Sequence, residues 1–361
     1  MKREWGEGWL SGVGLAGAII LFAAALRIAA PTPAGVPERP ALSLSRAKGV
    51  HRISFLALGD INLGRGVGQR ILQGDTLFPF ASVVDTLKSY DVVFANLESN
   101  ISDQNGRTEH PRNNIVFTAP PAAARALRRA GITVVATANN HALDFGQDAR
   151  DQTLAYLDSA GIAHAGTGRG REGLYRPAII AIRGVRLAVF SVTAIMNATG
   201  DSWKSLVADA DTSALLPAVR AFRDSVDAVI LSYHGGAEYA GRATEQTRSF
   251  VRDVLRGGVD LFIGHHPHVP YGFDLVGGRL AAHSLGNFVF RQPDRYWTRF
   301  GFALSATIVK DSAGTHMEDV RCLPLKADFQ PSFLSGGKDA TRILGRIRML
   351  STREALEKIA W

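Results

Sequence analysis

Cysteine is almost absent from this chain: Cys322 is the only one in 361 residues. That excludes an intrachain disulfide and a cysteine-rich zinc site, and it leaves the redox compartment open. Blocks of Lys and Arg with interleaved aromatics are also missing. The formal net charge is +8, but the basic residues are spread along the chain, so no nucleic-acid face is expected. No internal repeat is visible, which sets solenoid architectures aside. Charged residues are only 20% of the chain against 46% hydrophobic, a balance that excludes disorder and leaves room for one large domain or two ordinary ones.

The N-terminal stretch is apolar and bears on location. Lys2 and Arg3 precede an uncharged segment from Gly8 to Leu26, roughly 19 residues and long enough to span a bilayer core. Arg27 closes it, and a Pro-rich run from Pro31 to Pro40 follows. Residues 1–30 read as a membrane anchor with Lys2 and Arg3 inside and the rest of the chain outside, although Glu4, Glu7 and Arg27 make the charge asymmetry modest. A cleaved signal peptide is the competing reading, with Ala23-Ala24-Ala25 as the cleavage site and a secreted product. Residues 31–51 read as a linker without apolar period.

From Ile53 onward the pattern alternates strand and helix. Expected strands are Ile53–Leu58, Asp91–Ala95, Thr133–Thr137, Ala178–Ile182, Val185–Val192, Ala228–Ser232, Val259–Ile263, Arg279–His283 and Phe302–Val309. Expected helices are Ala81–Leu87, Pro121–Ala130, Asp151–Ala160, Leu215–Ser225 and Thr244–Leu255. Alternation of this kind predicts an α/β fold with helices packed on mixed sheets. The main domain is expected over residues 52–325. A tail over 326–361 carries two short basic helical patterns, Thr341–Leu350 and Arg353–Ile359, expected on the surface.

The chemistry collects where strands end. Gly264-His265-His266-Pro267-His268 follows an apolar run directly, so His266 and His268 arrive at a sheet edge, where α/β proteins bind ligands. A polar turn with solvated histidines is the plain alternative. Four other strands end in Asp60, Glu98, Asn140 and His234. Each is explicable alone, as a helix cap or a surface polar group; a shared site accounts for all of them at once. Carboxylates, an amide oxygen and imidazoles form a mixed O/N set suited to one or two divalent ions of Mn, Fe or Zn rather than Ca or Mg. Glu98 is the natural bridge between two ions, and His141 a candidate general acid. Asn62, Asn96, Glu238 and Asn287 are further site candidates, while His265 and His110 are expected outside the centre.

Six blocks stand in order: Gly59-Asp60-Ile61-Asn62-Leu63-Gly64-Arg65, Asn96-Leu97-Glu98, Ala138 to Gly146, Tyr233 to Tyr239, Gly264 to His268 and Ser284 to Phe288. In these the chain resembles the CapA family, the bacterial poly-γ-glutamate capsule synthesis proteins, over about residues 53–290. The resemblance implies a four-layer α/β/β/α sandwich of two mixed sheets, similar to calcineurin-like metallophosphoesterases, behind an N-terminal transmembrane helix. It also implies metal ligation by Asp60, Glu98, Asn140, His234, His266 and His268, with His141 catalytic. Two departures stand out. Asn62 occupies the place of a histidine in the phosphoesterase first block, and Asn96-Leu97-Glu98 replaces a Gly-Asp-x-x-Asp form.

The expected function is therefore a membrane-anchored extracytoplasmic protein of capsule synthesis or export. Its expected partners are capsule synthase or export membrane proteins, with an anionic polymer as ligand. An active metal-dependent phosphoesterase on another substrate, and a metal-free polymer-binding scaffold, are the alternatives; fold alone does not choose among them.

Overall fold

A computed structural model describes residues 49–168 and 170–361, the side chains of residues 171 and 172 aside. The expected membrane segment and most of the linker lie outside the described residues. Among the described residues, no helix is long and apolar enough to cross a membrane.

Nine strands bear on the site: β1 (His51–Ile61), β2 (Val92–Leu97), β3 (Val134–Ala136), β4 (Val185–Thr193), β5 (Ala228–His234), β6 (Leu261–His265), β7 (Asn287–Val289), β8 (Phe300–Asp311) and β9 (Gly314–Lys326). The first sheet runs β9-β8-β1-β2-β3, flanked by Ser332–Phe333 and Ala163–Ala165, with β7 pairing β1. The second runs Arg279–Ala282, β6, β5, β4, flanked by Phe273–Val276 and Ala178–Ile182. The β1, β2 and β3 strands are mutually parallel, as are β4, β5 and β6, whereas β8 and β9 run antiparallel to their neighbours. Both sheets are thus mixed. A third, small sheet holds Asn100–Ile101, Asn113–Ala119 and Glu109–His110.

The core explains the layering. Phe55, Phe94 and Val134 of the first sheet pack with Leu187, Ile230 and Ile263 of the second in one buried cluster. The opposite face of the first sheet, through Leu56, Leu58 and Val93, buries against helix Ala122–Ala130. The outer face of the second, through Phe190, Leu231 and Phe262, buries against helices Thr212–Arg223 and Glu245–Arg256. Strands covered on both faces need apolar residues at nearly every position, which is why β1 and β5 read as continuous apolar runs.

Thr244 starts the last of these helices by accepting a 3.2 Å hydrogen bond from the Thr247 amide, an N-cap in the usual sense. The helix over Gly146–Ser159 begins earlier than its apolar period suggested. Strands β9 and Asn113–Ala119 were not expected at all, because more than half their residues are exposed or partly exposed and many of these carry charge or polarity. The C-terminal helices, Gly337–Met349 and Arg353–Lys358, differ from expectation in packing: Ile343, Ile347 and Ala355 enter the cluster between the sheets.

Candidate metal centre

Parallel strands deliver their carboxyl ends to one edge, so β1, β2, β3, β5 and β6 all open onto the same place. In β1 the register shifts between Ala57 and Asp60, a bulge that re-aims the residues beyond it. Gly59 permits this: a Cβ there would lie 1.9 Å from the Gly286 carbonyl oxygen. Asp60 is completely buried. Its Oδ1 accepts from Asn96 Nδ2 at 2.9 Å and lies 3.0 Å from His265 Nδ1.

The loop after β3 is pinned by Asn139, whose amide donates to the Leu97 carbonyl at 2.8 Å and whose Oδ1 accepts from the His141 amide at 3.1 Å. Asn140 Oδ1 then lies 2.8 Å from His234 Nε2. His141 Nδ1 pairs with Asp144 Oδ2 at 2.8 Å, and the Phe117 ring stacks on the imidazole with centroids 4.2 Å apart.

The second sheet supplies the remaining imidazoles. A Cβ at Gly264 would meet the His283 carbonyl oxygen at 2.0 Å, so the strand can pass only as glycine. Beyond it His266 and His268 adopt φ of 92° and 58°. A non-glycine residue in the left-handed region is strained and such strain gathers at functional sites. His268 Nε2 lies 3.6 Å from Glu98 Oε1, and its Nδ1 lies 2.9 Å from Asn287 Oδ1 and 3.4 Å from Asp60 Oδ2. His234 Nε2 and His141 Nε2 stand 3.8 Å and 3.9 Å from the same Glu98 oxygen.

Glu98 is the anomaly that identifies the site. Both of its carboxylate oxygens are buried without a hydrogen-bond partner, as is His266 Nδ1. An uncompensated buried carboxylate is costly. Burial first, and the charge of Asp60 next, push the Glu98 carboxyl well above the ordinary range. Burial acts on Asp60 in the same direction, but hydrogen bonds with His265 and His268 outweigh it and hold Asp60 well below the usual value. Burial, then the neighbouring His266, keeps His234 well below its ordinary value. His266 is pushed down to about 3, chiefly by burial and then by His268. His234 and His266 are thus held in the neutral form that ligation requires, and a cation beside Glu98 would offset the penalty that burial and Asp60 place on its charged form.

Three donor sets fall within 4.8 Å: Glu98 with His234 and His266, Asp60 with Glu98 and His268, and Glu238 with His266 and His268. Glu98 belongs to two of them, and His266 and His268 each to two. The residues fit one or two divalent ions.

The structure therefore brings Asp60, Glu98, Asn140, His234, His266 and His268 together. Asn96 bridges Asp60 and His234, with its Nδ2 3.2 Å from His234 Nδ1, and Asn287 stands behind His268. Glu238 is exposed yet within reach of two histidines. Asn62 spends its Oδ1 on the Gly64 amide at 2.8 Å, which shapes the turn into the helix Arg65–Leu72. His110 lies apart on the small sheet, where its Nδ1 accepts from the Arg112 amide. His265 also stands outside the donor sets, as expected, but it is fully buried and bonded to Asp60, orienting that carboxylate. The strand runs one pair further than expected, so His265 is its last residue and points into the sheet interface. Sequence reading also passed over the roles of Asn139, Asp144 and Phe117. Only Asp144 left a signal, three residues after His141.

Comparison with known proteins identifies the family. Residues 54–292 match the family described as bacterial capsule synthesis protein PGA_cap. The chain is 28% identical over 315 residues to the capsule biosynthesis protein CapA of Bacillus anthracis, covering 84% of this chain and 75% of that one. It is 27% identical over 256 residues to the PGA biosynthesis protein CapA of Bacillus subtilis (strain 168), covering 68% of this chain and 65% of the relative. Among solved structures, a 5'-nucleotidase from Candida albicans SC5314 aligns with a TM-score of 0.38 at 10% identity, over 84% of this chain and 56% of that one. With the matched region holding every donor of the centre, the chain belongs to the bacterial capsule synthesis protein family PGA_cap.

Proposed function

We propose that this protein works in the synthesis or export of an anionic capsule polymer of the poly-γ-glutamate type, with a divalent metal centre at the junction of its two sheets. The single observation that carries the metal centre is Glu98, a buried carboxylate with no hydrogen-bond partner beside three imidazoles. Relatives named for capsule and PGA biosynthesis support the role. In this reading the N-terminal segment anchors the domain outside the membrane, beside synthase or export proteins. The ions, of Mn, Fe or Zn type, are held by Asp60, Glu98, Asn140, His234, His266 and His268.

A bound ion would supply Lewis acidity and charge neutralisation. The chain's own residues do the rest. Asp144 and Phe117 hold the His141 ring, leaving Nε2 facing the centre to protonate a departing oxygen. His265 and Asn96 fix the Asp60 carboxylate, and Asn287 fixes the His268 ring.

The His141–Asp144 pair favours one second reading, a metal-dependent phosphoesterase on another extracytoplasmic substrate, since a polymer scaffold needs no oriented general acid. Two measurements decide. Metal analysis of the purified chain is expected to find bound divalent ion; none would leave the scaffold reading. Deleting the gene is expected to reduce surface polymer, with feeble hydrolysis of simple phosphomonoesters by the protein. Unchanged polymer together with rapid phosphomonoester turnover would put the phosphoesterase reading first.

A further inference from the structure

Two arginines flank the centre in matching stacks that the proposed chemistry does not use. On the His141 side, the Arg65 guanidinium carbon sits 4.7 Å from the centroid of Phe117, the ring that stacks on His141. On the His268 side, the Arg295 guanidinium carbon sits 4.3 Å from the centroid of Tyr239, whose ring is stacked with His268 at 6.0 Å. Glu98 Oε1 lies between the two imidazoles, 3.9 Å from His141 Nε2 and 3.6 Å from His268 Nε2.

Both stacks are held in place. Arg65 is half-buried, has φ of 50°, and donates to the Asn114 carbonyl. Tyr239 has φ of 59°, its amide donates to the Pro267 carbonyl at 2.9 Å, and its hydroxyl accepts from Gln292 at 3.2 Å. Gln292 in turn accepts from Asn287, the residue that orients His268.

Neither guanidinium is spent on an ion pair within the described residues. Glu109, Asp144 and Glu98 act on Arg65 through space, but among the described residues no carboxylate lies within ion-pair distance of Arg65 or Arg295. Arg65 Nε is buried without a hydrogen-bond partner. A guanidinium stacked on an aromatic ring loses little further entropy on binding, and its donor fork matches carboxylate and phosphate oxygens.

We propose that Arg65 and Arg295 form a two-armed clamp for a chain molecule with an anionic group on each side of the unit that reaches the centre. The inference rests on the proposed function in taking that centre as the place where the polymer is handled. One arm stands on the His141 side, on Phe117 of the small sheet, and the other on the His268 side, on Tyr239 beyond the second sheet, so successive anionic groups of one chain engage both. Carboxylates of a glutamyl chain and phosphates of a polyphosphate share the chemistry the clamp recognises.

The test is equilibrium binding to the full chain in nanodiscs, with its metal content measured alongside. The probes are a γ-linked glutamyl decamer, the same decamer with its carboxylates amidated, and a linear polyphosphate of similar charge. The wild type is expected to bind the anionic decamer far more tightly than the amidated one. Arg65→Gln and Arg295→Gln should each weaken it about tenfold, the loss of one charge-assisted contact, with metal content and amidated-probe binding unchanged and a shallower salt dependence. Arg295 is exposed, so its variant remains interpretable where Arg65→Gln fails to fold; Arg65→Lys should fall between wild type and Arg65→Gln. Anionic and amidated decamers bound equally, or undiminished anionic binding by the Arg295 variant, would overturn the clamp. Polyphosphate preferred over the decamer, with the same losses in both variants, upholds the clamp and removes the glutamyl polymer from the proposed function.

Discussion

The first sheet ends in oxygen donors and the second in nitrogen donors. Strands β1, β2 and β3 lead to Asp60, Asn96, Glu98 and Asn140; strands β5 and β6 lead to His234, His266 and His268. Each donor set of three that includes Glu98 draws its carboxylate from one sheet and its imidazole from the other. The lesson is that both donor sets built on Glu98 need the two sheets together, and only the set with the exposed Glu238 comes from the second sheet alone. A metal here would act as a staple across the inner core, and the packing between the sheets fixes the donor distances.

The hardest break in this comparison is to stop either sheet from closing. Gly59→Ala presses on the Gly286 carbonyl from the first sheet, and Gly264→Ala on the His283 carbonyl from the second. Each is expected to cost more than about 3 kcal/mol, above ordinary overpacking because the obstacle is backbone. Chemical denaturation measures it. Near-wild-type stability in one variant would mean that its sheet edge can relax, and that the donor geometry is set from the other side.

Next in size is the loss of the shared carboxylate. Glu98→Gln should abolish most bound metal, read by elemental analysis, and lower the melting temperature of the metal-loaded protein. In metal-free protein the sign reverses. Glu98 has a folded value raised above its ordinary one, about 4.3 in free chains, so the folded state binds the extra proton and stability falls as pH rises past that range. Removing the charge should make metal-free Glu98→Gln more stable than wild type at neutral pH. Asp60 behaves oppositely: its folded value is depressed, so its contribution is present above the ordinary aspartate range and is lost as pH falls through the folded value. Melting curves of metal-free Glu98→Gln and Asp60→Asn across pH should therefore diverge; parallel curves would refute the assignment.

A smaller effect separates ligation from proton transfer. His266→Ala should lower metal content and any turnover together. His141→Ala should keep the metal and lower turnover on the order of 10²–10⁴, the worth of a general acid. Asp144→Asn should follow His141→Ala with a lesser loss, because it disturbs the orientation of the ring and not its presence. Metal lost in His141→Ala would instead make His141 a ligand. The smallest expected change is Asn62→Ala, about 1 kcal/mol for one hydrogen bond to the Gly64 amide, with metal content unchanged; a fall in metal would place Asn62 in the centre.

Much of this was legible without coordinates. Ile53–Leu58 and Ala228–Ser232 sit inside the observed strands, and Asp91–Ala95 overlaps Val92–Leu97 from its second residue on, since a strand buried on both faces must be apolar at consecutive positions. The donors were legible because parallel strands share a carboxyl edge, so residues that follow them in sequence meet in space. Strand β9 was hidden, as Met317-Glu318-Asp319-Val320-Arg321 mixes exposed charge with partial burial and carries neither period cleanly.

What the chain alone determined, then, is its alternation of strand and helix and the chemistry of its strand ends. What only the tertiary structure decided is how those ends pair. His265 turned to Asp60, Asn62 to its own turn, Asp144 to His141, and Ile343 and Ile347 into the inner core. The physical reason is that hydrophobic period reports which face of an element is buried, whereas a hydrogen bond depends on distances of a few tenths of an ångström between residues as far apart as Asp60 and His265, which only the packing of one sheet on the other defines.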